Sequence, residues 1–237
     1  MKYYRQLQPI QAMSFDLDDT LYDNRPVIAR LTREANAWLH QQHPIAATRD
    51  EAWWLKLKLD LGKQDTWLHS DVTLWRHRTT KLGLMALGYS EPQAEQAADD
   101  LLAVVFRLRS DFTVPDMTHK VMAELAEKYP LVAITNGNVD VERIGLSDYF
   151  SLILRAGRDG YAKPHTDMFA KAQQYLSVKS GAILHVGDHL KTDVLGAKQN
   201  GFQACWYNDQ GVCIRKAKHS RVLPDIEINT LESLLML

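Results

Sequence analysis

Five short apolar runs punctuate the chain, at residues 10–15, 131–135, 152–156, 183–186 and 203–206. Most carry β-formers, and most end on a polar residue or a glycine. Runs that are apolar on both faces predict strands covered on two sides, as in a parallel sheet. Amphipathic stretches lie between them. Residues 117–128 place Val121, Met122, Leu125 and Ala126 on one face and stop before Pro130, which predicts a helix. Residues 192–200 predict another, ending at Gly201, where a left-handed residue commonly follows the C-cap. This alternation predicts an α/β fold of the doubly wound class, with a parallel sheet of about five strands. In such sheets ligands bind at the carboxyl ends of the strands.

One interval breaks the alternation. Residues 21–114 hold no strand run, and their pattern is helical throughout. Val27, Ile28, Leu31, Ala35, Trp38 and Leu39 share a face. Thr48 with Glu51, and Ser90 with Gln93, fit capping boxes, and Gly88 fits the position just past a helix at residues 74–87. A connection inside one βα unit takes about two to six residues, so this interval must form a subdomain of its own. The expected division is residues 1–22 and 112–237 as the core, with 23–111 as a helical insertion.

The composition narrows the class without naming it. Of 237 residues, 46% are hydrophobic and 24% charged, which excludes a disordered or fibrous chain. The 28 basic and 29 acidic side chains nearly cancel, so a broad electrostatic grip on nucleic acid or anionic lipid is not expected. Arg215 to Arg221 is the one basic run and reads as a solvated loop. Two cysteines, without metal spacing, exclude a disulfide scaffold and fit a reducing compartment. Neither an export signal nor a membrane span is expected, which points to the cytoplasm.

The candidate chemistry sits at the strand ends. The first run leads into Asp16-Leu17-Asp18-Asp19-Thr20, where strand alternation lets Asp16 and Asp18 converge. Carboxylates gathered there are unfavourable unless a cation or hydrogen bonds offset their repulsion. A plainer alternative is a solvated turn with Asp19 or Thr20 as an N-cap. Three further motifs follow other strand-like runs or breaks: Thr135-Asn136-Gly137-Asn138, whose turn amides can face an anion; Lys163 beside Pro164; and Gly187-Asp188, with Asp193 five residues on. Each has a structural explanation by itself, as a cap, a surface charge or a helix start. All four in this order point to a site.

In this order, DLDDT, ITNG, AKP and GDHLKTD resemble the four motifs of the haloacid dehalogenase-like hydrolase superfamily, phosphatase branch, across essentially the whole chain. The resemblance implies a Rossmann-like core and a helical cap inserted after the first motif. It implies Asp16 as the nucleophile that accepts a phosphoryl group, and Asp18 as the acid that protonates the leaving alcohol and then the base that activates water. That second job requires the acid form at neutral pH, which neighbouring carboxylates favour. Thr135, Asn136 and Lys163 are implied to hold the phosphoryl group. Asp16, the Asp18 carbonyl, Asp188 and Asp193 are implied as metal ligands. Ionised Asp16, Asp188 and Asp193 against Lys163 leave two negative charges, which one divalent cation cancels. Oxygen-only ligands favour Mg²⁺.

Asp18 also separates branches, because the dehalogenase branch lacks that second aspartate: halide needs no proton on leaving. Phosphomutases keep it. His189 stands where Ser, Asp or Asn is common and reads as a neutral spectator. Five of the six tryptophans (Trp38, Trp53, Trp54, Trp67 and Trp75) lie in the inserted interval. Helix packing is their expected role, and stacking on a flat substrate is the sharper alternative. The stretch from Tyr22 to Pro26 is well placed to contact a leaving group.

Within the family, residues 16–28, 154–157, 162–169 and 183–206 most resemble phosphatases of riboflavin synthesis, which act on 5-amino-6-(5-phospho-D-ribitylamino)uracil. The implied partner is a small phosphorylated metabolite, and the expected state is a monomer or weak dimer. Alternatives are a sugar-phosphate or nucleotide phosphatase, a phosphomutase, or a non-catalytic binding subunit.

Overall fold

The computed structural model describes residues 1–217 and 222–237. Seven strands form one sheet: β1 (Lys2–Tyr3), β2 (Ala12–Phe15), β3 (Leu131–Thr135), β4 (Leu152–Arg155), β5 (Ile183–Gly187), β6 (Gln203–Tyr207) and β7 (Ile226–Ile228). Their order is β1-β7-β6-β5-β2-β3-β4, parallel except for β1 against β7. The five predicted runs are β2 to β6, which lie side by side in the sheet with β4 at its edge. The two additional strands are too short to leave a period in the sequence.

Helices α1 (Arg25–Gln42), α2 (Glu51–Gln64), α3 (Val72–Ala86) and α4 (Glu91–Arg109) fill the predicted interval, and α5 (Asp116–Lys128) and α6 (Thr166–Leu176) alternate with strands. The predicted helix at 192–200 is instead a π-helical turn, Leu190–Leu195, running into the four-residue α7, Gly196–Gln199. Gly88 and Gly201 both adopt positive φ (107° and 76°), as their places after helices require. Gln93 Oε1 accepts from Ser90 N–H at 3.1 Å, completing the capping box of α4. The box predicted at Thr48 does not form. Asp50 caps α2 by accepting from Trp53 N–H at 2.9 Å, while the Thr48 hydroxyl donates to Ile45 O. Asp binds the free amides of a first helical turn as well as Thr does, and it stands next to the helix.

The chain divides into two compact units. One comprises residues 1–24, 113–137 and 141–237; the other comprises residues 25–112 and 138–140. In the first, Val132, Ile134, Met168, Phe169, Val194, Ala197 and Phe202 bury one face of the sheet under α6 and α7. In the second, Leu31, Ala35, Leu84, Ala94, Leu101 and Val105 join α1, α3 and α4, with Trp38 and Trp54 packed against them. Trp54 Nε1–H also donates to Ala46 O, and Trp75 Nε1–H donates to Lys58 O. Cys205 and Cys213 are free thiols. Of the basic run, Arg215 and Lys216 lie in a 3-10 turn, while residues 218–221 lie outside the described residues. No helix among the described residues is long and apolar enough to cross a membrane.

Candidate active site

The strand order reverses between β2 and β5. The chain leaves β2 for β3 and β4 on one side, then returns to β5 on the other. A crevice at the carboxyl ends follows from that reversal, and the four motifs meet there. Asp16 directly follows β2, and its N–H donates to Val186 O of β5 at 2.9 Å. Thr135 ends β3, and Gly187-Asp188 ends β5.

Asp16, Asp188 and Asp193 each bring a carboxylate oxygen within 4.8 Å of the other two. Lys163 is buried beside them, with Nζ 2.7 Å from Asp16 Oδ1 and 2.7 Å from Asp193 Oδ1. Asp193 approaches the end of β5 so closely that a Cβ on Gly187 would stand 2.4 Å from its Cγ, so a side chain at residue 187 would displace the carboxylate. An all-oxygen donor set of three carboxylates, partly buried and balanced by one lysine, fits a hard metal ion.

Burial, then Asp193 and Asp188, push the Asp16 carboxyl well above its ordinary range, with Lys163 opposing them. Burial, Asp193 and Asp19 raise Asp188 to about 7. Asp193 meets a large burial penalty, yet Lys163 and His185 outweigh it and hold its carboxyl below the usual range. Lys163 likewise loses solvation, but Asp16 and Asp193 overcome that and raise it. Without a cation, burial and mutual repulsion therefore oppose the charged forms of Asp16 and Asp188.

Asp18 lies outside the three-carboxylate cluster, and its Oδ1 accepts from Tyr22 OH at 2.7 Å. Thr20 Oγ1 accepts from Asp188 N–H at 3.1 Å and reaches Asp188 Oδ1 at 3.4 Å. Neither Thr20 nor Asp19 therefore serves as a simple helix cap. Asp19 takes positive φ (57°), and its Oδ1 accepts from Asn24 N–H at 2.8 Å, which closes the turn between β2 and α1. Thr135 is fully buried and accepts from Gly137 N–H at 3.0 Å. Both ends of the Asn136 amide engage the Lys163 backbone: Oδ1 accepts from N–H at 2.7 Å, and Nδ2 donates to O at 3.1 Å. His189 accepts from Thr192 N–H, a local bond that starts the following turn.

Sequence reasoning did not find three partners. The role of Tyr22 as a donor to Asp18 left only its four-residue spacing as a signal. Ser14 and His185 are buried and share a 2.8 Å hydrogen bond, with His185 Nε2 lying 3.4 Å from Asp193 Oδ1. The only trace they leave is a polar residue in the middle of each of two apolar runs.

The fold, the crevice and the four ordered motifs define a hydrolase class. Residues 10–201 match the family of haloacid dehalogenase-like hydrolases, and the chain belongs to it. It is 43% identical over 234 residues to the 5-amino-6-(5-phospho-D-ribitylamino)uracil phosphatase YigB of Escherichia coli, covering 99% of this chain and 98% of that one. It is also similar to the glyceraldehyde 3-phosphate phosphatase of Pyrococcus furiosus, at 28% identity over 85% of this chain and 82% of that one. Among solved structures, the 2-haloacid dehalogenase of Pseudomonas syringae pv. tomato superimposes with a TM-score of 0.89 at 34% identity, covering 96% of this chain and 97% of that one.

Proposed function

We propose that this chain is a Mg²⁺-dependent phosphomonoester hydrolase working through a phosphorylated Asp16, with 5-amino-6-(5-phospho-D-ribitylamino)uracil as its substrate. The observation that carries the reaction class is the buried meeting of Asp16, Asp188 and Asp193 with Lys163. The substrate rests on similarity to the Escherichia coli phosphatase along both chains.

Asp16, the Asp18 carbonyl and Asp188 would hold the ion, with Asp193 binding directly or through water. Bound there, Mg²⁺ masks negative charge, so that a phosphate dianion can approach a carboxylate. Asp16 attacks phosphorus, and the bond to the leaving oxygen breaks as Asp18 gives that oxygen its proton. Asp18, now ionised, takes a proton from the water that attacks the acyl phosphate. Inorganic phosphate leaves and Asp16 is regenerated. Lys163 and the Thr135 hydroxyl hold the phosphoryl oxygens. Asn136, through its two bonds to the Lys163 backbone, fixes the loop that delivers the ammonium group. Tyr22 orients the Asp18 carboxyl. The residues 25–112 act as the cap that selects the leaving group.

Dehalogenation is the reading set against this one, because of the likeness to the Pseudomonas syringae structure. Asp18 argues against it, since halide leaves without a proton. The reading places the protein in the cytoplasm, acting on small metabolites as a monomer or weak dimer.

Purified protein should hydrolyse p-nitrophenyl phosphate with MgCl₂ and lose that activity in EDTA. Full activity in EDTA would overturn the metal requirement. Asp16→Asn should lower kcat on the order of 10⁴-fold with unchanged circular dichroism. Across a panel of phosphorylated metabolites, the ribitylaminouracil phosphate should show the highest kcat/KM. If triose or sugar phosphates ranked above it, the substrate assignment would fall and the reaction class would stand.

A further inference from the structure

His185 lies in the middle of β5 and is 1% exposed; Ser14, its register partner on β2, is fully buried. Both strands are otherwise apolar here, reading AMSF and ILHVG. Two aliphatic side chains would fill the space without burying polar groups, whose burial costs free energy unless each finds a partner. They do find partners, in one line. Ser14 Oγ stands 2.8 Å from His185 Nδ1, and His185 Nε2 stands 3.4 Å from Asp193 Oδ1. Asp193 Oδ1 then contacts Lys163 Nζ at 2.7 Å, and Lys163 Nζ contacts Asp16 Oδ1 at 2.7 Å. Strand alternation puts Asp16 in the same row as Ser14. The line thus leaves β2 at Ser14, crosses β5, and returns to β2 at the proposed nucleophile.

The other oxygen of Asp193 is already occupied, accepting from His189 N–H at 2.9 Å and from the Thr192 hydroxyl at 3.3 Å. Donors from residues 189 and 192 fix one side of the carboxylate, and His185 is the strand-borne donor on the other. Its ring rests edge-on against Phe169, with centroids 5.2 Å apart at 77°, which limits its rotation. A carboxylate only accepts, so the proton facing it belongs to Nε2. A neutral imidazole then leaves Nδ1 as an acceptor, which the Ser14 hydroxyl satisfies.

We propose that His185 is a positioning residue for the reaction: it holds Asp193, and through it the Lys163 ammonium, in register with Asp16, while Ser14 selects the ring tautomer. The role rests on the phosphatase reading above; the hydrogen-bonded line itself does not.

Two measurements test it. In metal-free protein labelled with ¹⁵N-histidine at pH 7, the His185 ring should carry its single proton on Nε2, and Ser14→Ala should give a mixture of tautomers. With saturating Mg²⁺ and p-nitrophenyl phosphate, His185→Leu should lower kcat about tenfold or more with KM within about threefold. His185→Gln, which can restore a donor to Asp193, should recover most of the loss, and Ser14→Ala should fall between them. If His185→Leu does not fold, the Gln and Ala variants still decide. A proton on Nδ1, a kcat within twofold of the parent in the Leu variant, or equal losses in the Leu and Gln variants would overturn the proposal. A parent protein that hydrolyses no phosphomonoester yet keeps the Nε2 signal would end the phosphatase reading, and with it the role in the reaction, leaving only the hydrogen-bonded line.

Discussion

Lys163 and Lys81 each touch two carboxylates at nearly the same distances. Lys163 Nζ lies 2.7 Å from both Asp16 and Asp193, while Lys81 Nζ lies 2.8 Å from Glu91 and 2.6 Å from Glu95. Their surroundings differ. The Lys163 side chain is 1% exposed, and its partners are 11% and 1% exposed. The partners of Lys81 in the helical unit are 68% and 45% exposed. Water screens the second arrangement and supplies equally good partners to each group, so breaking it changes little. The first has no such substitute. Its charges are kept out of water at a cost of several kcal/mol, and removing one leaves the others uncompensated. Contact distance alone does not reveal which charges matter; burial does.

The largest effect that would break this contrast is expected at Lys163. Lys163→Met should cut kcat about 10²–10³-fold and lower stability by about 3 kcal/mol, as read by steady-state rates and urea unfolding. A variant with near-parental kcat would mean that the buried pair is only structural.

Asp188 sharpens the contrast through pH. Its carboxyl is raised to about 7 in the metal-free chain, so between about pH 4 and 7 the folded state holds a proton that the unfolded state has released. This group's contribution to stability is present at low pH and is lost as pH rises through 7. In EDTA at pH 8, Asp188→Asn should therefore melt several degrees above the parent, with the difference vanishing near pH 4. The same variant should lose the melting-temperature gain that MgCl₂ gives the parent.

A smaller effect is expected from packing in the helical unit. A Cβ on Gly83 would stand 2.0 Å from a ring carbon of Trp54, so Gly83→Ala should cost about 1–3 kcal/mol by urea unfolding. Smallest of all is Lys81→Met, which should move the melting temperature by no more than about a degree.

What the sequence made legible follows the same division. Asp16 and Asp188 stood out because ionisable residues at the ends of apolar runs are costly and therefore informative, while Lys163 stood out beside Pro164 and Asp193 by its spacing from Asp188, in the order of the four motifs. Thr135 and Asn136 stood out through the turn that follows them. Helix α1 was legible from its apolar face, and α4 from its capping box. The misses arose where a distant partner decides the outcome. Strands β1 and β7 are two and three residues long; β7 exists by pairing with β6, and β1 by pairing with β7 across the length of the chain. The π-helical turn at Leu190–Leu195 lies where Asp193 folds back on His189 N–H and Gly187, which no local propensity encodes. Asp50 displaced Thr48 as a cap because both types suit the position and only the helix start decides. Ser14 and His185 are ordinary interruptions until register sets them side by side.

Strand β2 is made early, yet one of its neighbours, β5, begins only at residue 183. Until that stretch has been synthesised, a nascent chain carrying β2, β3 and β4 offers one open, apolar strand margin to any other polypeptide. Premature termination before residue 183 is therefore expected to yield not a weaker enzyme but a sticky one, suited to chaperone capture or aggregation.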